Sequence, residues 1–169
     1  IDDTCLRSKI IAKGLNSVIR AGEDKGSSAL FFLAANPKGR QLLIDDKDLL
    51  GKITAEGLNA VIPNGDDQGR SALWNLVSWS EGWPLLREQK PLHENISLTG
   101  LVSTFLHDNN DGSVKRYSVL AHILEDTNKH AIVFDNAVLM SKITEIVTSY
   151  LSSFESRSEA DDDQPMDDY

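Results

Sequence analysis

Residues Lys9 to Gly51 align with Lys52 to Glu94 without a gap, a period of 43. The shared residues include Lys9/Lys52, Ile10/Ile53, Gly14/Gly57, Leu15/Leu58, Asn16/Asn59, Val18/Val61, Ile19/Ile62, Gly26/Gly69, Ser28/Ser71, Ala29/Ala72, Leu30/Leu73, Leu33/Leu76, Gly39/Gly82, Leu42/Leu85 and Leu43/Leu86. Self-similarity at this spacing marks a chain whose units cannot bury their apolar faces alone and must stack on one another. A third copy begins at Asn95, where Ile96, Gly100 and Leu101 answer Ile53, Gly57 and Leu58. From there the offset becomes 47, so that Ser118, Leu120, Ile132, Val133 and Leu139 fall on Ser71, Leu73, Leu85, Leu86 and Leu92. The third copy thus carries four extra residues, in the loop Asp108 to Arg116. A half repeat follows, with Ile143 matching Ile96 and a helical run Ile143, Ile146, Val147, Tyr150, Leu151, Phe154. The expected organisation is a repeat domain over 1–154 (copies 9–51, 52–94 and 95–141, half repeat 142–154) and a tail over 155–169.

Within each copy the apolar spacing is helical, as in Leu58, Val61, Ile62 and Leu73, Leu76, Val77, and no period-two run calls for strands. Thr54 and Ser97 are suited to cap the first helix, which is expected to end at Gly22, Pro63 or Asp108. A turn-rich loop, Pro63 to Gly69 in the second copy, leads to Ser71, whose hydroxyl is placed to cap the second helix. That helix stops near Asn36-Pro37 or Ser80-Glu81-Gly82. A third starts beside Gly39 or Pro84 and runs into the next copy. Three helices in 43 residues predict an all-α chain, a right-handed α-solenoid of about three and a half units.

The net charge of −9 is unevenly spread. Seven carboxylates against Arg157 leave −6 on residues 155–169, and only −3 on the rest. A nearly balanced body offers no basic patch to attract a phosphate backbone, so nucleic acid is not expected as a partner. The tail has too little apolar surface to offset its own ordering and is expected to be mobile. No apolar run approaches the length of a membrane span, and the start resembles no signal peptide. The single cysteine, Cys5, excludes an intramolecular disulfide and fits a reducing, cytoplasmic setting. The absence of an initiating Met suggests a fragment.

Catalytic and metal chemistry find no support in the residue pattern. His93, His107, His122 and His130 fall in different segments without ligand spacing, and Cys5 has no neighbouring His. Asp45-Asp46 and Asp66-Asp67 read as caps or solvated turns. The loop Asp108 to Ser113 is rich in oxygen ligands, but setting Gly112 at the sixth position of a calcium loop puts His107 first and Ser118 twelfth, where Asp and Glu are needed. Gly65 to Gly69 leads to Arg70-Ser71 and not to the Gly-Lys-Ser/Thr of a phosphate loop. Asn95-Ile96-Ser97 matches a glycosylation sequon, but at a repeat junction a structural role is expected. No catalytic residue, metal or cofactor is therefore expected.

The period and helix count resemble armadillo and HEAT repeats, whose units run about 40 to 47 residues. Gly69-Arg70-Ser71-Ala72-Leu73-Trp74 also resembles the Gly-x-Thr-Pro-Leu-His opening of ankyrin repeats, with Ser71 for Thr, Ala72 for Pro and Trp74 for His. An ankyrin unit is shorter, near 33 residues with two helices, so the armadillo-like reading is preferred. The body followed by an acidic, Ser-containing tail from Ser152 to Asp168 also resembles translocated effectors of intracellular bacteria. Such likenesses imply a noncatalytic module that binds a protein or peptide, in a host cytosol if the effector resemblance holds.

Comparison of equivalent positions nominates the contacts. Trp74 replaces Phe31 and is expected in the core, whereas Trp79 and Trp83 replace the polar Asn36 and Arg40. Two tryptophans on such a polar edge are candidate hot spots for a partner, with packing against the third copy as the other reading. Lys115 and Arg116 join them, because a loop that grows relative to its sisters often carries recognition. Two further functions stay open: a substrate-positioning fragment of a larger enzyme, and oligomerisation through uncapped end repeats.

Overall fold

Serines at equivalent positions open the second helix of every copy. Ser28, Ser71 and Ser118 lie in extended backbone, and their hydroxyls accept from the amides of Phe31, Trp74 and Ala121. Each thereby satisfies a donor that the first helical turn leaves without a partner. Thr54 and Ser97 do the same for the first helices of the second and third copies. In the computed structural model, which describes residues 10–108 and 114–161, the first copy holds α1 (Ala12–Asn16), α2 (Ala29–Ala35), α3 (Pro37–Asp45) and α4 (Lys47–Leu50). The second holds α5 (Ala55–Asn59), α6 (Ala72–Ser78), α7 (Trp83–Glu88) and α8 (Lys90–Asn95). The third holds α9 (Leu98–Val102), β1 (Thr104–Asp108), β2 (Val114–Ser118), α10 (Val119–Glu125), a 3-10 turn at Thr127–Lys129, α11 (His130–Phe134) and α12 (Ala137–Asp161). The described chain is mostly helical, with one two-stranded sheet.

Each copy is therefore built from four helices and not the expected three. The third helix breaks at Asp46, whose carboxylate accepts from the Leu49 amide at 3.0 Å and so starts a new helix. Asn136 acts likewise, accepting from Val138 at 3.0 Å and Leu139 at 3.2 Å. The first helices are also shorter than the apolar spacing predicted. Asn16 and Asn59 donate back to Ala12 and Ala55 carbonyls at 2.7 Å, and the chain turns extended immediately afterwards. An Asn side chain that takes its own helix's carbonyl competes with continuation of the helix.

Like helices stand beside like helices: α2 against α6 and α6 against α10, α1 against α5 and α5 against α9. The core repeats accordingly. Leu15, Leu58 and Leu101 are fully buried at one level, Leu43, Leu86 and Val133 at another, and Leu49, Leu92 and Leu139 at a third. Burying each such side chain contributes about 2 kcal/mol.

A polar seam joins successive copies. Asn16 Nδ2 donates to the Lys52 carbonyl at 2.7 Å while its Oδ1 accepts from the Thr54 amide at 2.9 Å. Asn59 repeats this on the next copy, with the Asn95 carbonyl at 2.6 Å and the Ser97 amide at 2.9 Å. Gly57 and Gly100 admit these side chains, since a Cβ there would lie 2.3 and 2.0 Å from the Asn Oδ1 atoms. A second row runs alongside: Lys52 Nζ donates to the Ile10 carbonyl at 2.8 Å, Asn95 Nδ2 to Ile53 at 3.0 Å, and Lys142 Nζ to Ile96. The sequon asparagine thus has a structural task.

At another edge the copies diverge. Ile19 and Ser27, and in the next copy Ile62 and Arg70, close a loop through one amide-to-carbonyl bond of 2.9 Å, with a second from Gly26 or Gly69 at 2.8 Å. Gly26 and Gly69 have φ of 92° and 86°, the left-handed region that glycine enters freely. In the third copy the four extra residues convert this loop into a hairpin, Thr104↔Ser118 through Asp108↔Val114, with Phe105↔Tyr117 at the position of Ile62 and Arg70. Strands were not expected, because five residues on each side carry no clear alternation. At the other end, α12 continues through residue 155 to Asp161, so the expected start of the tail is not a helix end. The remainder of the proposed mobile tail, 162–169, lies outside the described residues.

Candidate functional site

The hairpin shapes a cavity that mixes aromatic, basic and acidic side chains. Its volume is about 360 Å³, and Arg70, Trp74, Phe105, Tyr117, His122 and Glu125 line it. Trp74 reaches it from α6, which is held by the Ser71 cap; its ring lies 4.0 Å from that of Phe105 and 5.0 Å from that of His122, centroid to centroid. Phe105 and Tyr117 face each other across the strands and stack at 5.7 Å, as a directly paired position on one sheet face allows. Arg70 lays its guanidinium 5.7 Å from the Phe105 ring and is tied to Asp67 at 2.6 Å.

His122 is the one imidazole in this wall. Burial, and then the neighbouring Lys129 ammonium, hold its pKa below the ordinary imidazole value, against the opposing pull of Glu125 and Asp126. Lys129 Nζ lies 2.9 Å from His122 Nε2, and an ammonium can only donate. That contact makes Nε2 the acceptor and puts the ring proton on Nδ1. Lys129 is itself buried and paired with Asp126 at 3.4 Å. A hydrogen bond from the Asn128 amide keeps Asp126 below the usual carboxylate range. The result is a neutral imidazole, three aromatic faces and a rim carrying one cation and one anion. Such walls suit a flat or apolar side chain with a polar end.

Of the residues singled out from sequence, Trp79 and Trp83 stay neighbours, the Trp83 amide donating to the Trp79 carbonyl at 3.3 Å, and neither lines the hairpin cavity. Trp79 is 50% exposed, and its ring covers the Arg40 guanidinium at 4.9 Å. Trp83 is partly buried against the core, with Arg87 at 5.1 Å from its ring. Of the two first-copy positions read as a polar edge, Asn36 is exposed, but Arg40 is only 2% exposed and so does not belong to the surface. Its Nη1 donates to the Ala34 and Ala35 carbonyls at 2.9 and 3.0 Å, and Nη2 faces Glu81 at 3.4 Å. The carbonyls that end α2 give a cation a reason to be inside. Arg116 is exposed on β2 opposite Leu106, and Lys115 pairs with His107 through the backbone. Cys5 and residues 109–113 of the suspected calcium loop lie outside the described residues. Asp46 and Asp67 serve as the cap and turn residues expected of them. Among the described residues no three His, Cys, Asp or Glu side chains converge to hold a metal, and no helix is long and apolar enough to cross a membrane.

Sequence reasoning missed Arg70, Phe105, Tyr117, His122 and Glu125. The signal was present, since Phe105 replaces Ile62, His122 replaces Asn75 and Glu125 replaces Ser78, substitutions of the same kind that drew attention to the tryptophans. No family model matches the chain, and neither the curated proteins nor the solved structures contain a significant match.

Proposed function

We propose that this chain is a noncatalytic binding module, an armadillo-like right-handed α-solenoid that recognises a protein or peptide at the hairpin edge of its second and third copies. The observation that carries the reading is the contrast between seam and edge. The seam uses the same residues in successive copies, whereas the edge grows four residues and gathers Trp74, Phe105, Tyr117 and His122 around a cavity. A wall of aromatic rings with Arg70 and Glu125 at its rim matches the chemistry of peptide hot spots. Arg116, exposed on β2 next to Tyr117 and so on the other face of the hairpin, and Trp79 offer further, separate patches. If the effector resemblance holds, the partner is a host protein.

The test is selection of a random peptide library on the immobilised protein. Enriched peptides should share an aromatic or long apolar residue and lose at least about tenfold in affinity, about 1.4 kcal/mol, on an Arg70→Ala/Tyr117→Ala variant that keeps its circular dichroism spectrum. Peptides that bind the variant equally well, or no enrichment at all, would remove the hairpin edge as the recognition surface. Trp79→Ala run in parallel tells whether its patch contributes.

A further inference from the structure

The first copy presents an unfinished seam. Gly14 occupies the position of Gly57 and Gly100, yet among the described residues a Cβ placed on it meets only the Ile11 side chain at 3.7 Å. Ala29 is exposed, whereas its counterparts Ala72 and Val119 are 1% and 0% exposed. Phe32 is 50% exposed where Asn75 is 5%, and the Asn75 amide reaches back to the Phe31 carbonyl of the copy before it. Gly14, Ala29 and Phe32 line, with Ile11, Leu33 and Leu42, an apolar cavity of about 730 Å³. The equivalent faces of the second and third copies are covered in this molecule, and what covers them is the preceding copy.

The sequence ahead of α1 points the same way. Ile1, Asp2, Asp3, Leu6 and Lys9 match Ile44, Asp45, Asp46, Leu49 and Lys52, the stretch that ends one copy and leads into the next. We infer that the exposed face of α1 and α2 is the receiving half of a repeat seam. Its occupant is a further copy of this helical unit joined ahead of α1, whose asparagine at the position of Asn16 clamps onto Gly14. The opposite end of the chain does not supply that asparagine, because Val102 stands where Asn16 and Asn59 stand in the other copies. This inference rests on the stacking of copies in the proposed solenoid and is independent of what the aromatic cavity binds.

The test extends the chain by placing a duplicate of residues 9–43 directly before Ile1, which completes one 43-residue unit ahead of α1. The extended protein should unfold in a single transition at a higher urea midpoint than the 169-residue chain. Gly14→Ala should leave the unextended chain unchanged or slightly firmer, since the site is open, and should cancel the gain in the extended one. Asn→Ala at the duplicated Asn16 should cancel it too. If the added unit melts separately, or if Gly14→Ala is equally mild in both proteins, the inference fails. Concentration-dependent dimerisation of the unextended chain that Phe32→Asp abolishes would assign the face to a second molecule and overturn it as well. None of these outcomes touches peptide binding at Arg70 and Tyr117, so the two proposals fail separately.

Discussion

The seam and the hairpin edge are built from the same repeating chain under opposite constraints. At the seam, Asn16 and Asn59 each satisfy two carbonyls and one amide, and Gly57 and Gly100 leave room for nothing larger than hydrogen. Both polar atoms of each asparagine have a partner in the next copy, so a change on one side needs a matching change on the other. At the edge the corresponding segment of each copy closes on itself, through Ile19 and Ser27, Ile62 and Arg70, or Phe105 and Tyr117. The base of that loop still presses on the next copy, since a Cβ on Gly26 or Gly69 would lie 2.7 or 2.3 Å from the Val61 or Thr104 carbonyl, but the tip, which supplies its own hydrogen bonds, can lengthen and exchange side chains. Rigidity at one place permits variation at the other.

The comparison breaks first, if it breaks, at the glycines. Gly100→Ala should cost about 3 kcal/mol, because a methyl 2.0 Å from Asn59 Oδ1 forces the clamp open and strands its partners. Urea unfolding measures this, and a loss well under 1 kcal/mol would show that the copies slide apart easily. Asn59→Ala should follow at about 2 kcal/mol, since the Asn95 carbonyl and Ser97 amide lose their partner. Faster amide exchange at Ser97, with Tyr117 unaffected, is the local readout.

Gly65→Ala probes the edge. Its φ of 82° strains an alanine, but nothing lies within 4 Å, so the cost should be only about 1 kcal/mol. A thermal shift as large as that of Gly100→Ala would erase the distinction between seam and edge. The smallest effect concerns pH. Because the folded protein holds His122 below its ordinary value, the unfolded chain binds the extra proton, and this contribution to stability falls as pH drops below about 6.5. His122→Asn, which installs the residue of the second copy, should flatten the stability profile as pH falls through about 6.5. An unchanged slope would move the source to the carboxylates.

The repeat and its register were legible because packing demands recur at 43 residues whatever the surface does. Asn16, Gly57, Asn59 and Gly100 were visible as repeated letters, but the clamps of Asn16 on Gly57 and of Asn59 on Gly100 were not, since they join residues 36 to 41 positions apart through side-chain geometry. The fourth helix was hidden because Leu42, Leu43, Leu49 and Leu50 keep a helical spacing across the break at Asp46. Arg40 misled because long cations are usually outside, and only the carbonyls ending α2 explain its burial. The hairpin cavity assembles Arg70, Trp74, Tyr117 and His122 from separated stretches, so that its geometry appears only once the edge has folded.

The seam also bears on how such a gene can change length. Since the second unit carries both the asparagine that reaches forward and the glycine that receives it, an in-frame duplication of that copy creates a junction that already fits. Val102 makes the third copy different: a unit inserted after it would arrive with a glycine and find no asparagine. Duplication within the first two units therefore gives junctions that fit, while a junction made after the third lacks its asparagine.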